Sequence, residues 1–203
     1  MKKYLCFDIG GTSIKYAVLN ENYEFYSKGK VNTPLYLPEF LAAAEDIYTK
    51  EKNKHEEISA IAVSVPGKVK YGHILEGGCV SYLKDFDLKK HFYDYCGLEV
   101  TIENDGICAA LAELESGVLK NCKDAVLAVF GTGIAGAVIM DGKVRRGINN
   151  SCGEFSYIIM GAGFENEETL WSSDNGDYNL RYLVSEIKKL PMESLDGEKI
   201  FMF

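Results

Sequence analysis

Nowhere does this chain carry an apolar run approaching the ~20 positions of a membrane-spanning helix. No secretory leader is expected either, because the basic start Met1-Lys2-Lys3 meets Asp8 and two glycines before an apolar region can form. Positive charge is scarce: 22 Lys and Arg face 30 Asp and Glu, a formal net charge of −8. This argues against a nucleic-acid surface, which is built from excess Lys and Arg. An anionic substrate must then be met by local backbone donors and a metal ion. The six cysteines, at 6, 79, 96, 108, 122 and 152, show neither Cys-x-x-Cys spacing nor the density of a secreted scaffold. Lying mostly in apolar stretches, they read as reduced core residues of a cytoplasmic protein.

What is present suits a globular enzyme. The 203 residues are 47% hydrophobic and 26% charged, enough for one large core or two small ones. The most informative segment begins Asp8-Ile9-Gly10-Gly11-Thr12 and runs to Asn20, and it is echoed from Phe130 by Gly131-Thr132-Gly133-Ile134-Ala135-Gly136. Each copy is an apolar strand, a Gly/Thr turn and a second apolar strand. Glycine lets backbone N–H groups come close to a phosphate, and threonine adds a hydroxyl donor to the same anion. One such hairpin is equally an ordinary tight turn. Two of them point to a duplicated fold gripping one polyphosphate between two lobes.

Periodicity orders the rest. Residues 4–8, 13–20 and 24–31 read as strands, with a turn at 20–22. Residues 37–54 read as a helix, with Phe40, Leu41, Ala44, Ile47 and Tyr48 at helical spacing. The continuous apolar run at 58–65, closed by Pro66-Gly67, fits a buried parallel strand. A short helix at 88–95, a strand at 100–103 and a helix at 105–116 follow, the last with Ile107, Ala110, Leu111 and Leu114 along one side. Strands alternate with helices, so an α/β lobe of residues 1–118 is expected, followed by a second lobe from 119 to 203. The second lobe opens with a pair of long strands from Ala125; a further strand covers 155–160, 161–176 is loop, and 179–189 is helix.

Taken in order, residues 8–15, Val65-Pro66-Gly67, Glu103-Asn104-Asp105-Gly106, 130–136 and Cys152-Gly153-Glu154 resemble the ROK family of sugar kinases and repressors. The resemblance spans essentially the whole chain. It implies an α/β fold of the actin-like, ribonuclease H-like sugar-kinase type, with a complete first lobe, an incomplete second one, and both closing on ATP and sugar. It implies Asp105 as general base toward a sugar hydroxyl, although an Asp opening a helix is by itself most simply an N-cap. Asn104, Glu154 and the Gly67 backbone become sugar ligands. Gly10, Gly11, Thr12, Lys15, Gly131, Thr132 and Gly133 become phosphate donors, and Asp8 holds Mg2+ through water. Lys15 alternates with apolar neighbours, so it also reads as a solvated strand residue.

Departures from the family pattern refine this. Many ROK proteins carry a histidine three residues after the glutamate and then a cysteine-rich zinc loop; here that position is Tyr157, and residues 161–171 contain no Cys or His. The implied branch is the zinc-free one of bacterial β-glucoside kinases and related sugar kinases, with Tyr157 either bonding the sugar or filling a core. Ile107 replaces a second family asparagine. The chain also stops where the family continues, before the glycine motif that faces adenosine, so it reads as C-terminally truncated. Exposed apolar strands, self-association and weak ATP binding are expected from that, and the family resemblance itself implies a possible homodimer.

The leading expectation is ATP-dependent phosphorylation of a hexose, β-glucoside or N-acetylhexosamine. The alternatives are a non-catalytic remnant and a sugar-sensing regulator. A regulator would need an N-terminal helix-turn-helix, and here the first strand is expected at residue 4.

Overall fold

The computed structural model describes residues 1–55, 57–130, 134–162, 168–170 and 189. Two compact units are formed, Met1–Ala112 with Ile148–Asn150, and Glu113–Gly147 with the chain from Ser151 on. The helix expected to close the first lobe ends at Ser116, and its residues from Glu113 on belong to the second unit.

The first unit is built on a five-stranded sheet. Strands β1 (Lys3–Ile9), β2 (Ser13–Asn20) and β3 (Phe25–Asn32) form an antiparallel meander, while β4 (Ile58–Val65) and β7 (Glu99–Asn104) run parallel to β1, in the order β3-β2-β1-β4-β7. The helices α1 (Leu37–Lys54), α2 (Leu88–Cys96) and α3 (Asp105–Ser116) alternate with the strands, and the short hairpin β5 (Val69–Lys70) and β6 (His73–Ile74) follows β4. Alternation along β1 buries Leu5, Phe7 and Ile9. Phe7, Val63 and Ile102 lie abreast on neighbouring strands. They share one core with Phe40, Ala44 and Ile47 of α1 and Leu88 and Phe92 of α2, with the Phe7 and Phe92 rings 5.5 Å apart. The other face of the same strands carries Asp8, Ser64 and Glu103, also abreast. The sheet thus keeps an apolar layer and a polar row on opposite sides.

Glu51, on α1, is a buried carboxylate, 1% exposed. Its Oε1 accepts from Lys54 Nζ at 2.7 Å, its Oε2 accepts from the Ser27 hydroxyl, and His55 Nε2 lies 3.6 Å away. Burial opposes its charge, but the bonds from Lys54 and Ser27 outweigh that and hold the carboxyl below the ordinary glutamate range. A lowered folded-state pKa gives stability that is present above the unfolded pKa of about 4.3 and lost as pH falls through the folded value. Glu51→Gln should therefore cost ~1–2 kcal/mol in urea unfolding at neutral pH. The gap to the parent should close below about pH 4; a gap constant from pH 7 to 3 would contradict this.

In the second unit β8 (Ala125–Phe130), β9 (Ile134–Met140) and β10 (Lys143–Arg145) form an antiparallel sheet, and β11 (Ile159–Ala162) pairs with β12 (Glu168–Leu170). Two expectations are corrected here. Residues 155–157 are a 3-10 turn instead of the start of a strand. A Cβ added to Gly136 would lie 2.5 Å from the Phe155 ring, and the Ser156 hydroxyl donates to the Ile134 carbonyl, so the segment plugs onto β9. The expected loop at 161–176 includes strand pairing of Gly161 with Thr169 and Ala162 with Glu168, which a Gly/Ala-rich stretch does not advertise. The helix expected at 179–189 lies outside the described residues but for Lys189. On β8, Val126, Val129 and Phe130 are exposed.

Other differences are local. On α3 the buried stripe is Gly106, Ile107 and Ala110, and Leu111 is exposed. All six cysteines are free, but none is fully buried and Cys79 is exposed, so the expected core role is too strong. No helix among the described residues is long and apolar enough to cross a membrane.

Candidate active site

The C-terminal ends of β1, β4 and β7 bring the first unit's candidates together. The β1–β2 hairpin is closed by the Gly10 N–H donating to the Ser13 carbonyl at 3.0 Å, and the Thr33 hydroxyl donates to the Gly10 carbonyl at 2.5 Å. Gly10 therefore spends its N–H within the turn. Gly11 and Thr12 are exposed, and a side chain at Gly11 would bring its Cβ to 2.9 Å from Cys79 Sγ. Asp8 leaves the end of β1 with its carboxylate half-exposed. Its Oδ2 lies 3.2 Å from Lys15 Nζ, and its Oδ1 accepts from the Ser64 hydroxyl at 3.2 Å.

Asn104 and Asp105 divide two tasks at the start of α3. Asn104, 6% exposed, accepts at Oδ1 from the Ile107 N–H at 3.0 Å, which is the capping bond. Its Nδ2 donates to the Gly67 carbonyl at 2.8 Å and to Asp105 Oδ1 at 3.1 Å. The same Oδ1 of Asp105 accepts from the Gly106 N–H at 2.8 Å. The reading of Asp105 as helix cap is thus replaced by Asn104 in that role. Gly67, at φ +86°, is where the chain must pass closest: a Cβ there would sit 2.2 Å from the Glu76 carbonyl oxygen and 2.6 Å from the Gly78 nitrogen. Only glycine fits both the angle and the space.

These groups also influence one another electrostatically. Burial raises the Asp105 pKa above the ordinary aspartate value; the Gly106 N–H opposes this, and the negative charge of Asp8 adds to it. The Cys108 thiol is pushed up to about 12, by burial first and then by Glu103, with Asp105 and Asp8 adding and a bond with Ser64 opposing. It stays protonated and is no nucleophile. Burial also raises the Cys79 thiol, which bonds the Gly11 N–H and feels the charge of Asp105. Asp8, Asp105, Glu103, Ser64, Cys79, Cys108 and the glycine hairpin are therefore one cluster. Ser64 and Cys79 escaped the sequence reading; the only signal was Ser64's place just before Val65-Pro66-Gly67, and its meaning depends on strand register.

Two acidic groups within reach of each other suit a hydrated magnesium ion completed by phosphate oxygens, since that ion takes one or two carboxylates and keeps much of its water. No group of three or more His, Cys, Asp and Glu able to hold a metal occurs among the described residues.

Glu154 belongs to the second unit. Gly153 before it has φ +98°, and a Cβ there would meet the Gly136 carbonyl oxygen at 2.6 Å and Ala137 Cα at 2.7 Å, so the turn is pressed against β9. The Glu154 N–H donates to the Ser151 carbonyl at 3.3 Å. Tyr157 is 63% exposed and fills no core. Gly131, Thr132 and Gly133 lie outside the described residues.

Residues 4–174 match the family model described as ROK family. The β-glucoside kinase of Listeria monocytogenes is 32% identical over 98% of this chain and 68% of its own length. Among solved structures, a ROK family protein from Streptococcus pneumoniae TIGR4, in complex with sucrose, is 32% identical with a TM-score of 0.72, over 98% of this chain and 66% of that one. A ROK family glucokinase from Streptomyces griseus, in complex with glucose and AMPPNP, reaches a TM-score of 0.78 at 23% identity, over 97% of this chain and 69% of that one, a likeness of fold. The chain thus spans about two thirds of the length of these relatives. From its motifs, its α/β architecture and these matches, the chain belongs to the ROK family and groups with its sugar kinases.

Proposed function

We propose that this chain transfers the γ-phosphoryl group of ATP to a sugar hydroxyl, with Asp105 as general base. The observation that carries the reading is the division of labour at α3: Asn104 caps the helix, which leaves the Asp105 carboxylate in the cluster with burial raising its basicity. In the step, the hydroxyl proton passes to Asp105, the sugar oxygen forms the new bond to phosphorus, and the bond to the ADP oxygen breaks. A carboxylate whose pKa is raised by burial is a better proton acceptor than an ordinary one.

The remaining roles follow from residue chemistry. Gly11, Thr12 and Lys15, with Gly10 shaping the turn, meet the phosphates, and Gly131, Thr132 and Gly133 supply the corresponding donors of the second hairpin. Asp8 would hold magnesium through water, and the bound ion would supply neutralisation of phosphate charge. Asn104, the Gly67 backbone and Glu154 take the sugar, and the exposed Tyr157 adds a hydroxyl to it. A primary hydroxyl of a β-glucoside or hexose is the proposed acceptor, in line with the relatives' names. Zinc has no role, because residues 161–171 offer no Cys or His.

Sugar-dependent ADP release over a panel of glucose, β-glucosides and N-acetylhexosamines tests this. At least one sugar should stimulate release, the stimulation should vanish without Mg2+, and a zinc-selective chelator should leave it unchanged. No stimulation by any sugar would overturn the proposal.

A further inference from the structure

Asp8 does not stand open to a cation. Both carboxylate oxygens are engaged, Oδ2 by the Lys15 ammonium and Oδ1 by the Ser64 hydroxyl, each at 3.2 Å. Strand register enforces the arrangement: Lys30 on β3, Lys15 on β2, Asp8 on β1, Ser64 on β4 and Glu103 on β7 are successive partners across the sheet. In-register partners rise from the same face, so these side chains form one row. Lys30 beside Lys15 places like charges next to each other, which favours Lys15 leaning to its other neighbour, Asp8.

The two partners of Asp8 differ in consequence. A hydroxyl orients the carboxylate and leaves its charge, whereas an ammonium cancels that charge and repels a second cation at the same oxygen. The Lys15 side chain is also 63% exposed on a flexible stem, and an ion pair of this kind is weakly held. Phosphate oxygens arriving at the hairpin offer Lys15 a stronger negative partner on the same side.

We infer that Lys15 is a resident counter-ion of Asp8 that competes with the divalent cation and is drawn off by incoming phosphates, so that cation and nucleotide enter the site together. The inference deepens the proposed kinase reading and rests on Asp8 as the carboxylate that holds magnesium. Lys15 thereby has two partners in turn, Asp8 without nucleotide and phosphate with it. A lysine that simply waited for phosphate would leave Asp8 free for the cation.

Binding of Mn2+ alone to the nucleotide-free chain, read from the electron paramagnetic resonance signal of the unbound ion, tests the competition without any turnover. Lys15→Met should tighten Mn2+ binding by about three- to five-fold, the scale of an exposed ion pair. Lys15→Gln should do the same, which guards against a packing effect of one substituent. Lys15→Arg should bind like the parent. Lys30→Met removes the same charge one strand away from Asp8 and should shift affinity less than Lys15→Met. Adding Asp8→Asn to Lys15→Met should abolish the gain. If Lys15→Met and Lys15→Gln bind Mn2+ no tighter than the parent while Asp8→Asn still weakens binding, the competition is overturned and Asp8 keeps its role. A gain that survives Asp8→Asn would place the ion elsewhere and overturn both. Tightening by Lys15→Arg equal to that of Lys15→Met would overturn the competition, since the charge would not be its cause.

Discussion

Asp105→Asn is expected to lower turnover by about 100- to 10,000-fold, the usual contribution of a general base, with sugar affinity little changed. The substitution is well controlled by the local structure. Capping of α3 rests on the Asn104 Oδ1 bond to the Ile107 N–H, so the helix keeps its cap when the carboxylate becomes an amide. An asparagine oxygen still accepts the Gly106 and Asn104 bonds that Asp105 Oδ1 accepts now. Unfolding free energy should therefore stay within ~0.5–1 kcal/mol of the parent, the scale of altering one charged hydrogen bond while keeping its geometry. Steady-state kinetics with isothermal titration of the sugar separates the two effects. Parent-like turnover would return Asp105 to a structural role, and equal loss of turnover and stability would do the same.

Gly67→Ala should be the most damaging conservative change in the first unit, with a loss of ~2–4 kcal/mol in chemical unfolding from overpacking and a left-handed backbone together. The contacts are unforgiving because they are backbone: the new Cβ would stand 2.2 Å from the Glu76 carbonyl oxygen and 2.6 Å from the Gly78 nitrogen. Neither can rotate away as a side chain would. Relief requires moving the turn, and the Gly67 carbonyl that accepts from Asn104 Nδ2 moves with it. The variant should thus lose sugar binding as well as stability. A loss under ~1 kcal/mol, less than overpacking alone costs, would mean that the turn is looser than its geometry states.

Much of this architecture was legible in the sequence, and the reasons are specific. The run 58–65 is apolar but for Ser59 and Ser64, as suits a strand between two parallel neighbours, and helix α1 carries Phe40, Ala44 and Ile47 on one stripe. Both are local periodicities that tertiary packing left intact. The Asp8 and Glu103-Asn104-Asp105 motifs were legible as chemistry but not as geometry. Which of Asn104 and Asp105 caps α3 depends on side-chain rotation, and both residue types cap helices well. That Ser64 stands between Asp8 and Glu103 depends on the register of three strands drawn from distant stretches of the chain. Phe155 misled because an aromatic residue in an apolar run reads as strand, while here it packs over Gly136. Leu111 misled in the same way on α3, where the sequence offered a wider stripe than the helix buries.

Fold alone does not separate catalysis from sensing. The residues at the ends of β1 and β7 must decide. The most direct measurement is the fate of the terminal phosphate: the chain is incubated with γ-labelled ATP, Mg2+ and a sugar that stimulates ADP release, and the labelled product is identified. Label is expected on the sugar as a phosphomonoester in the parent and nearly absent from it in Asp105→Asn. Label recovered only as inorganic phosphate, or labelled sugar formed equally by Asp105→Asn, would contradict it.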